Sequence, residues 1–263
     1  MFLPSDKIKL EIKNYGICNV SVAPVRASAS DSAEIVTQLL FGDDVEILEK
    51  GQPWIKIRFK RDNYEGWMDF KQLAYLTDDE YKKIKEVAPV FVKDALLPIK
   101  GPRGRQNIML GSALPNLKGR DMVIGQEIYT LEQEPNQAEF TLLDTAMGYL
   151  NTPYLWGGKS IFGIDCSGLT QNCFRVHGVL LPRDASQQVL AGKDIAFEDR
   201  QPGDVPFFIN SKGNVHHVGI LTTKDQILHA AGCVRLDPFD EKGIYREDLE
   251  TYTHQYHSIK RYI

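Results

Sequence analysis

Cys166 lies in Gly163-Ile-Asp-Cys-Ser-Gly-Leu169, and what it can do depends on what begins there. Leu169, Cys173 and Val176 recur at helical spacing and Gly178 supplies a stop. The spacing predicts a helix that starts at Cys166, ends near His177 and takes Asp165 as its N-cap. Unpaired N–H groups and the positive end of the helix dipole favour an anion at such a start. A thiol with a reference pKa of about 8.5 is therefore expected to be drawn toward thiolate. A nucleophile also needs a base, and the base needs a third group to fix its tautomer. Val215-His-His-Val-Gly-Ile-Leu221 and Gln226-Ile-Leu-His-Ala230 are apolar strand runs around the turn-like Thr222-Thr-Lys-Asp225. Positions 217 and 229 are symmetric about residue 223, so an antiparallel hairpin in that register makes them direct cross-strand partners, with Cβ atoms roughly 5 Å apart. One imidazole would then touch the thiol and the other its far nitrogen. His216 faces the opposite side of the strand, and a one-residue slip would exchange it with His217. His177, His254 and His257 have no such context and are read as surface or capping residues. Taken singly, each residue is more simply an inert buried cysteine or a satisfied histidine; the coincidence of three favours chemistry.

The elements that must hold this trio begin at Pro135-Asn136. Phe140, Leu143, Met147 and Leu150 fall at helical spacing, with Asn136 as cap and Glu139 three residues on. From there helices and strands mix, so residues 136–263 are read as the catalytic domain. Residues 1–76 read as short strands between turns, with Ile55, Ile57 and Phe59 alternating against Lys56 and Arg58, as in a small barrel. Residues 77–135 form a second, less regular β-rich stretch. Its basic loop Gly101-Pro-Arg-Gly-Arg105 is read as a solvated hairpin tip.

The 263 residues carry 31 basic and 35 acidic side chains, a net charge of -4, which predicts no generic affinity for nucleic acid or an anionic membrane. No apolar run approaches the roughly 18 residues of a membrane helix. Met1-Phe-Leu-Pro-Ser-Asp-Lys shows no export signal, so a cytoplasmic location is expected, or a periplasmic or exported one if a leader has been removed. The four cysteines, Cys18, Cys166, Cys173 and Cys233, are too scattered for a disulfide scaffold or a zinc motif. Gly157-Gly-Lys-Ser160 fails as a phosphate loop because position 153 is Pro rather than Gly. No metal and no cofactor is expected.

Tyr154-Leu-Trp-Gly-Gly158, Asp165-Cys-Ser-Gly-Leu169, Leu181-Pro-Arg-Asp184, Pro202-Gly-Asp204 and His217-Val-Gly-Ile220 resemble, in order and spacing, the motifs of the NlpC/P60 cysteine peptidases of bacterial cell-wall metabolism. The β-rich stretches resemble bacterial SH3-like domains, the first clearly and the second less so. Within the family the likeness is to γ-D-glutamyl-L-diamino-acid endopeptidases of the dipeptidyl-peptidase VI type. The resemblance implies an α+β, papain-like catalytic domain preceded by two small SH3-like β-barrel domains. It implies Cys166 as nucleophile, His217 as base and His229 as the orienting third residue. The implied reaction is hydrolysis of the amide between γ-D-Glu and a diamino acid in peptidoglycan stem peptides with a free N-terminal L-Ala, releasing L-Ala-γ-D-Glu.

On that reading the N–H of Cys166 and the phenol of Tyr154 are candidate oxyanion donors. Asp165 and Ser167 flank the nucleophile and count with the substrate-binding residues. Arg183 is expected to pair with the D-Glu carboxylate, and Asp184 with the substrate ammonium while also capping a helix through Asp-x-x-Gln187. In similar enzymes the first SH3-like domain closes one end of the groove, a role assigned here to Glu34 and Tyr64. Two departures stand out: Ala185 replaces a frequent Ser, and Pro206 interrupts a strand, which should place that strand at an edge or bulge it. The expected partners are peptidoglycan-derived stem peptides, and the chain is expected to be a monomer. The competing readings are a silent wall-peptide-binding protein and an acyltransferase working through the same thioester.

Overall fold

The computed structural model describes residues 14–136 and 138–263. The seven N-terminal residues on which the no-leader expectation rests lie outside the described residues. Seven strands come first: β1 (Tyr15–Cys18), β2 (Val22–Arg26), β3 (Ile35–Leu40), β4 (Asp44–Glu49), β5 (Trp54–Phe59), β6 (Glu65–Asp69) and β7 (Leu73–Leu76). They form one antiparallel sheet in the order β3-β2-β6-β5-β4-β1-β7. The period-two alternation of β5 is realised: Ile55, Ile57 and Phe59 are buried while Lys56 and Arg58 are not. With Val25, Leu39, Val45 and Met68 they fill the interior of this barrel-like unit.

Helix α1 (Asp78–Lys85) starts at a Thr77/Glu80 capping box and leads into β8 (Val90–Phe91), β9 (Leu96–Gly101), β10 (Gly104–Met109), β11 (Ala113–Leu114), β12 (Asp121–Ile124) and β13 (Glu127–Leu131). These make a four-stranded sheet, β10-β9-β13-β12, and a β11-β8 pair. Gly101 and Arg105 sit on the β9–β10 hairpin, whose tip is solvated as expected. Ile17, Phe41 and Leu76 of the first unit share a core with Leu97, Ile108 and Tyr129 of the second, so packing runs continuously through residue 76.

The last unit contains α2 (Leu142–Met147), β14 (Lys159–Ser160), β15 (Gly163–Ile164), α3 (Cys166–Val176), α4 (Ala185–Gln188), β16 (Lys193–Ile195), β17 (Val205–Ile209), β18 (Val215–Thr223), β19 (Gln226–Ala231), β20 (Cys233–Asp240), β21 (Gly243–Arg246) and β22 (Thr251–Arg261). The sheet order is β16-β22-β17-β18-β19-β20-β21, and β21 also pairs with β22, which closes six strands into a ring. Alternate residues serve two cores. Phe207, Val218, Ile220 and Leu228 pack on α3, whereas Phe208, Leu221, Ile227 and Phe239 cluster on the other face. No described helix is long and apolar enough to cross a membrane.

Two local expectations are corrected, the cap of α2 and the β18–β19 register. Helix α2 is capped by Thr141 and Asp144, not by Asn136, whose side chain accepts from Ala138 N instead. For the strand that holds Pro206 the bulge, of the two expected outcomes, is the one realised: β17 lies between β22 and β18 rather than at an edge, Pro206 sits near its start, and bulges follow at Phe207–Ile209. The β18–β19 register pairs Gly219, not His217, with His229, because an irregularity between Leu221 and Thr223 tightens the turn to Lys224-Asp225.

The first barrel is fastened to the helical face of the last unit by buried polar contacts. Arg175 of α3 is ion-paired with Asp43, both almost wholly buried. Gln171 donates to Asp62 (2.8 Å), the N–H of Lys159 donates to Gln38 (2.8 Å), and Nε of Arg183 donates to Thr37 (2.9 Å). Gly157, at φ +76°, approaches β3 so closely that a Cβ there would lie 2.3 Å from the carbonyl oxygen of Ile35.

Candidate active site

Helix α3 begins where the spacing of its apolar residues requires, with Asp165 as N-cap. Asp165 Oδ1 accepts from the N–H of Gly168 at 2.7 Å and Oδ2 from Gly157 at 2.8 Å. The same carboxylate takes two hydrogen bonds from Arg183, Nη1 to Oδ1 at 3.0 Å and Nη2 to Oδ2 at 2.5 Å. Arg183 Nη1 also donates to Ser167 Oγ at 2.9 Å, and its side chain is only 2% exposed. With Thr37 on Nε, four of its five N–H donors bond within the protein, so the expectation that its guanidinium is given over to a substrate carboxylate is corrected: Arg183 chiefly buttresses the first turn of α3, while one Nη2 hydrogen of this cavity-lining residue has no bond among the described residues. Cys166, at the first helical position, has a backbone N–H that no intrahelical carbonyl can accept.

Helix α3 packs across β18 and β19, and Cys166 and His217 line one cavity. Although His217 and His229 are diagonal rather than directly opposite, a two-residue displacement keeps them on one face. Their rings meet edge to face, with His217 Nε2 and His229 Nδ1 2.8 Å apart. His229 Nε2 lies 2.9 Å from Oδ2 of Asp237 on β20. Asp237 is buried and held in turn by Arg235. A carboxylate only accepts, so His229 Nε2 carries a proton and, in a neutral ring, Nδ1 does not. His217 Nε2 must then donate, which leaves His217 Nδ1 with a free lone pair. Asp237 was not anticipated, although Arg235 and Asp237 alternate onto the face of a strand that returns immediately after His229.

Electrostatics agree with neutral rings. Burial, then the neighbouring imidazoles of His254, His229 and His216, hold His217 well below its ordinary pKa. Burial also lowers His229, against the pull of Asp237. Burial opposes ionisation of Asp237, but hydrogen bonds from His229 and Arg235 win and lower its pKa. The Cys166 thiol goes the other way from expectation. Burial, then the Asp165 charge, pushes it up to about 12, despite hydrogen bonds from the N–H groups of Val218 and Ser167. A helix start contributes about 0.3–2 kcal/mol to an anion, less than the desolvation of a buried thiolate. Both shifts run toward the neutral forms, thiol and imidazole.

His254, read from sequence as a surface or capping residue, is instead half-buried on β22, with its ring stacked 4.0 Å from that of His217. Burial and the adjoining His229 and His216 push its pKa down to about 4. His177, by contrast, is the C-cap of α3, and His257 is exposed. Burial lowers His177 as well, so four depressed imidazoles set a pH dependence. Unfolded histidines take up protons near pH 6.5, whereas these folded ones do so only at lower pH. Below about pH 6.5 the unfolded chain thus binds more protons, and stability rises with pH. The stabilisation is complete above that point and is lost as pH falls toward 4 and through the folded values. The urea midpoint should fall steadily from pH 7 to pH 4.5; a midpoint that is flat or climbs on acidification would contradict buried neutral rings.

The cavity, about 600 Å³, is walled by nine of the ten residues singled out from sequence: Glu34, Tyr64, Tyr154, Asp165, Cys166, Ser167, Arg183, Asp184 and His217. The tenth, His229, is fully buried behind His217. Burial, then the charges of Cys166 and Asp165, pushes the Tyr154 phenol up to about 12, so it keeps its proton and can donate. The barrel contributes two residues to the cavity wall: Glu34, which accepts from Trp156 Nε1 at 2.5 Å, and Tyr64, which donates to Asp184 Oδ1 at 3.3 Å. Asp184 is the N-cap residue of α4 by position, but its side chain makes no capping bond, so the capping expectation is corrected. Its second oxygen, like that of Glu34, has no partner among the described residues. Trp156 was not anticipated as part of this wall.

A family profile described as the NlpC/P60 family matches residues 151–253, and one described as a bacterial dipeptidyl-peptidase Sh3 domain matches residues 25–73. The chain is 30% identical over 219 residues, 74% of its length and 72% of the relative's, to the gamma-D-glutamyl-L-lysine dipeptidyl-peptidase of Bacillus subtilis (strain 168). It is 29% identical over 252 residues, 83% of its length and 90% of the relative's, to dipeptidyl-peptidase 6 of Lysinibacillus sphaericus. The structure of an NlpC/P60 family protein from Bacillus cereus ATCC 10987 superposes with a TM-score of 0.77 at 23% identity, covering 94% of this chain and 99% of that one, a likeness of fold. The chain belongs to the NlpC/P60 family, with an α+β papain-like unit behind an SH3-like β region. It is a cysteine peptidase, a hydrolase.

Proposed function

We propose that this peptidase cuts the amide between γ-D-Glu and a diamino acid in peptidoglycan stem peptides that begin with a free L-Ala, releasing L-Ala-γ-D-Glu. Cys166 Sγ attacks the γ-carbonyl carbon while its proton passes to the lone pair of His217 Nδ1. The oxyanion is met by the N–H of Cys166 and the phenol of Tyr154. His217 returns the proton to the leaving amine, the C–N bond breaks and a thioester remains. Water then attacks, giving a proton to His217, and the C–S bond breaks as the thiol is restored. The growing charge on His217 is shared through His229 with Asp237, which orients the ring and stabilises the imidazolium.

The observation that carries the substrate reading is that Glu34 and Asp184, both in the cavity wall, each keep one carboxylate oxygen without a partner among the described residues. An ammonium bound to these carboxylates would sit against the barrel, which on this reading leaves no room for a residue preceding it. The names of the Bacillus and Lysinibacillus relatives, which describe dipeptidyl-peptidases, agree with a two-residue product. A charge-assisted hydrogen bond is worth about 1.5–3 kcal/mol. Asp184→Asn should therefore raise KM for L-Ala-γ-D-Glu-L-Lys roughly 10- to 100-fold, with a smaller effect on kcat, and should narrow the gap between free and N-acetylated substrate. Unchanged KM together with equal turnover of acetylated and free peptide would rule out the ammonium site. Digests of free stem peptides and intact peptidoglycan, compared by mass spectrometry, separate recycling from wall remodelling.

A further inference from the structure

His254 faces the same cavity as the catalytic pair, and the proposed hydrolysis gives it nothing to do. It reaches the site because β22 pairs with both β17 and β21, which brings residue 254 beside two rings that arrive on β18 and β19. Its ring centroid is 4.0 Å from that of His217 and 5.6 Å from that of His229. The Thr253 hydroxyl engages His254 Nδ1 at 2.9 Å, so Nε2 is the nitrogen left to bind something. One nitrogen from each of His217, His229 and His254 can be chosen so that all lie within 4.8 Å of one another.

Three imidazoles at such spacing are a donor set for Zn2+. Tetrahedral zinc binds His nitrogens at about 2.0–2.1 Å, which sets ligand atoms roughly 3.3 Å apart. The His217–His229 nitrogens, now 2.8 Å apart, would open slightly, and the His254 ring would swing out of its stack on His217 so that both lone pairs point at one ion. His229 is already in the required tautomer. Its Nε2–H is held by Asp237, the outer carboxylate that orients a metal-bound histidine and raises its basicity. Water from the cavity would fill the fourth position.

We propose that His217, His229 and His254 form an inhibitory Zn2+ site that switches the peptidase off. The binding claim stands on the three rings alone, while the inhibition rests on the catalytic reading of Cys166 and His217. Zinc takes the lone pair of His217 Nε2, so the proton that sat there moves to Nδ1 of the same ring. No covalent bond to carbon is made or broken, and no redox partner is needed. With Nδ1 protonated, neutral His217 can no longer accept the proton of the Cys166 thiol.

The test uses the whole chain with Cys166→Ala, which removes the thiol as a competing ligand. Co2+ should bind one equivalent, give the intense visible bands of tetrahedral coordination and be displaced by Zn2+. His254→Gln should weaken binding at least about tenfold, since one of three protein ligands is lost, whereas His216→Gln should leave it unchanged. X-ray absorption of the zinc-loaded Cys166→Ala chain should show three imidazoles, a readout that stands even if His254→Gln does not fold. In the unmutated enzyme Zn2+ should inhibit reversibly, with activity restored by EDTA. No binding to Cys166→Ala, binding indifferent to His254→Gln, or fewer than three imidazoles would overturn the site; binding without inhibition would overturn the switch. Failure of the catalytic reading shows itself separately, as turnover by Cys166→Ala.

Discussion

Cys166→Ala should be a folded chain that no longer releases L-Ala-γ-D-Glu, with turnover reduced by about 10⁴-fold or more. Removing a nucleophile that works as a unit with its base costs losses of this order, leaving only binding and oxyanion contacts. The site is 7% exposed and the change only trims a sulfur, so stability should move by no more than about 1 kcal/mol. The pair of readouts matters. Lost activity with an unchanged thermal midpoint assigns the effect to chemistry, whereas full turnover would remove the thiol from the mechanism. The acyltransferase alternative is separated by adding an amine, which should not divert the L-Ala-γ-D-glutamyl group from water.

Asp165→Ala should be the most destabilising single change at the site. It strips the acceptor from the N–H groups of Gly168 and Gly157 and leaves the Arg183 guanidinium, 2% exposed, without the carboxylate it is bonded to. Breaking a buried ion pair by removing one partner costs about 3–5 kcal/mol. For a chain of this size that is a fall in Tm of roughly 6–20 °C. Taking the second charge away as well should recover part of the loss, because a pair replaced by apolar groups is often near neutral. Asp165→Ala/Arg183→Met is thus expected to melt above Asp165→Ala alone. A single variant that melts within about 2 °C of the parent would show that the ion pair does not hold the helix start.

What the sequence made legible was local. Helix α3 and its Asp165 cap follow from residues within one or two turns of each other, and both stand as expected. The histidine pair was found for a reason that survived a wrong register. The turn is tighter than the loop symmetry implied, but the displacement is by two residues, which preserves the face. A shift of one would have put His216 beside His229. The misreadings concern partners distant in sequence. Arg183 looked free for substrate because nothing near it marks Asp165, eighteen residues earlier, as its partner. Asp184 looked like a cap because the pattern fits, yet Tyr64, 120 positions away, claims its oxygen. His254 comes to the site only through closure of the strand ring, which no local spacing encodes. The thiol was misjudged for an energetic reason: the dipole was counted and the burial was not.

Acid-quenched turnover with L-Ala-γ-D-Glu-L-Lys, followed by intact-protein mass spectrometry and peptide mapping, bears most directly on the claim that sulfur carries the acyl group. The account expects a transient L-Ala-γ-D-glutamyl adduct on Cys166 that is labile to hydroxylamine and absent from Cys166→Ala. Turnover at full rate with no adduct on Cys166, or with the adduct mapped to another side chain, would contradict it.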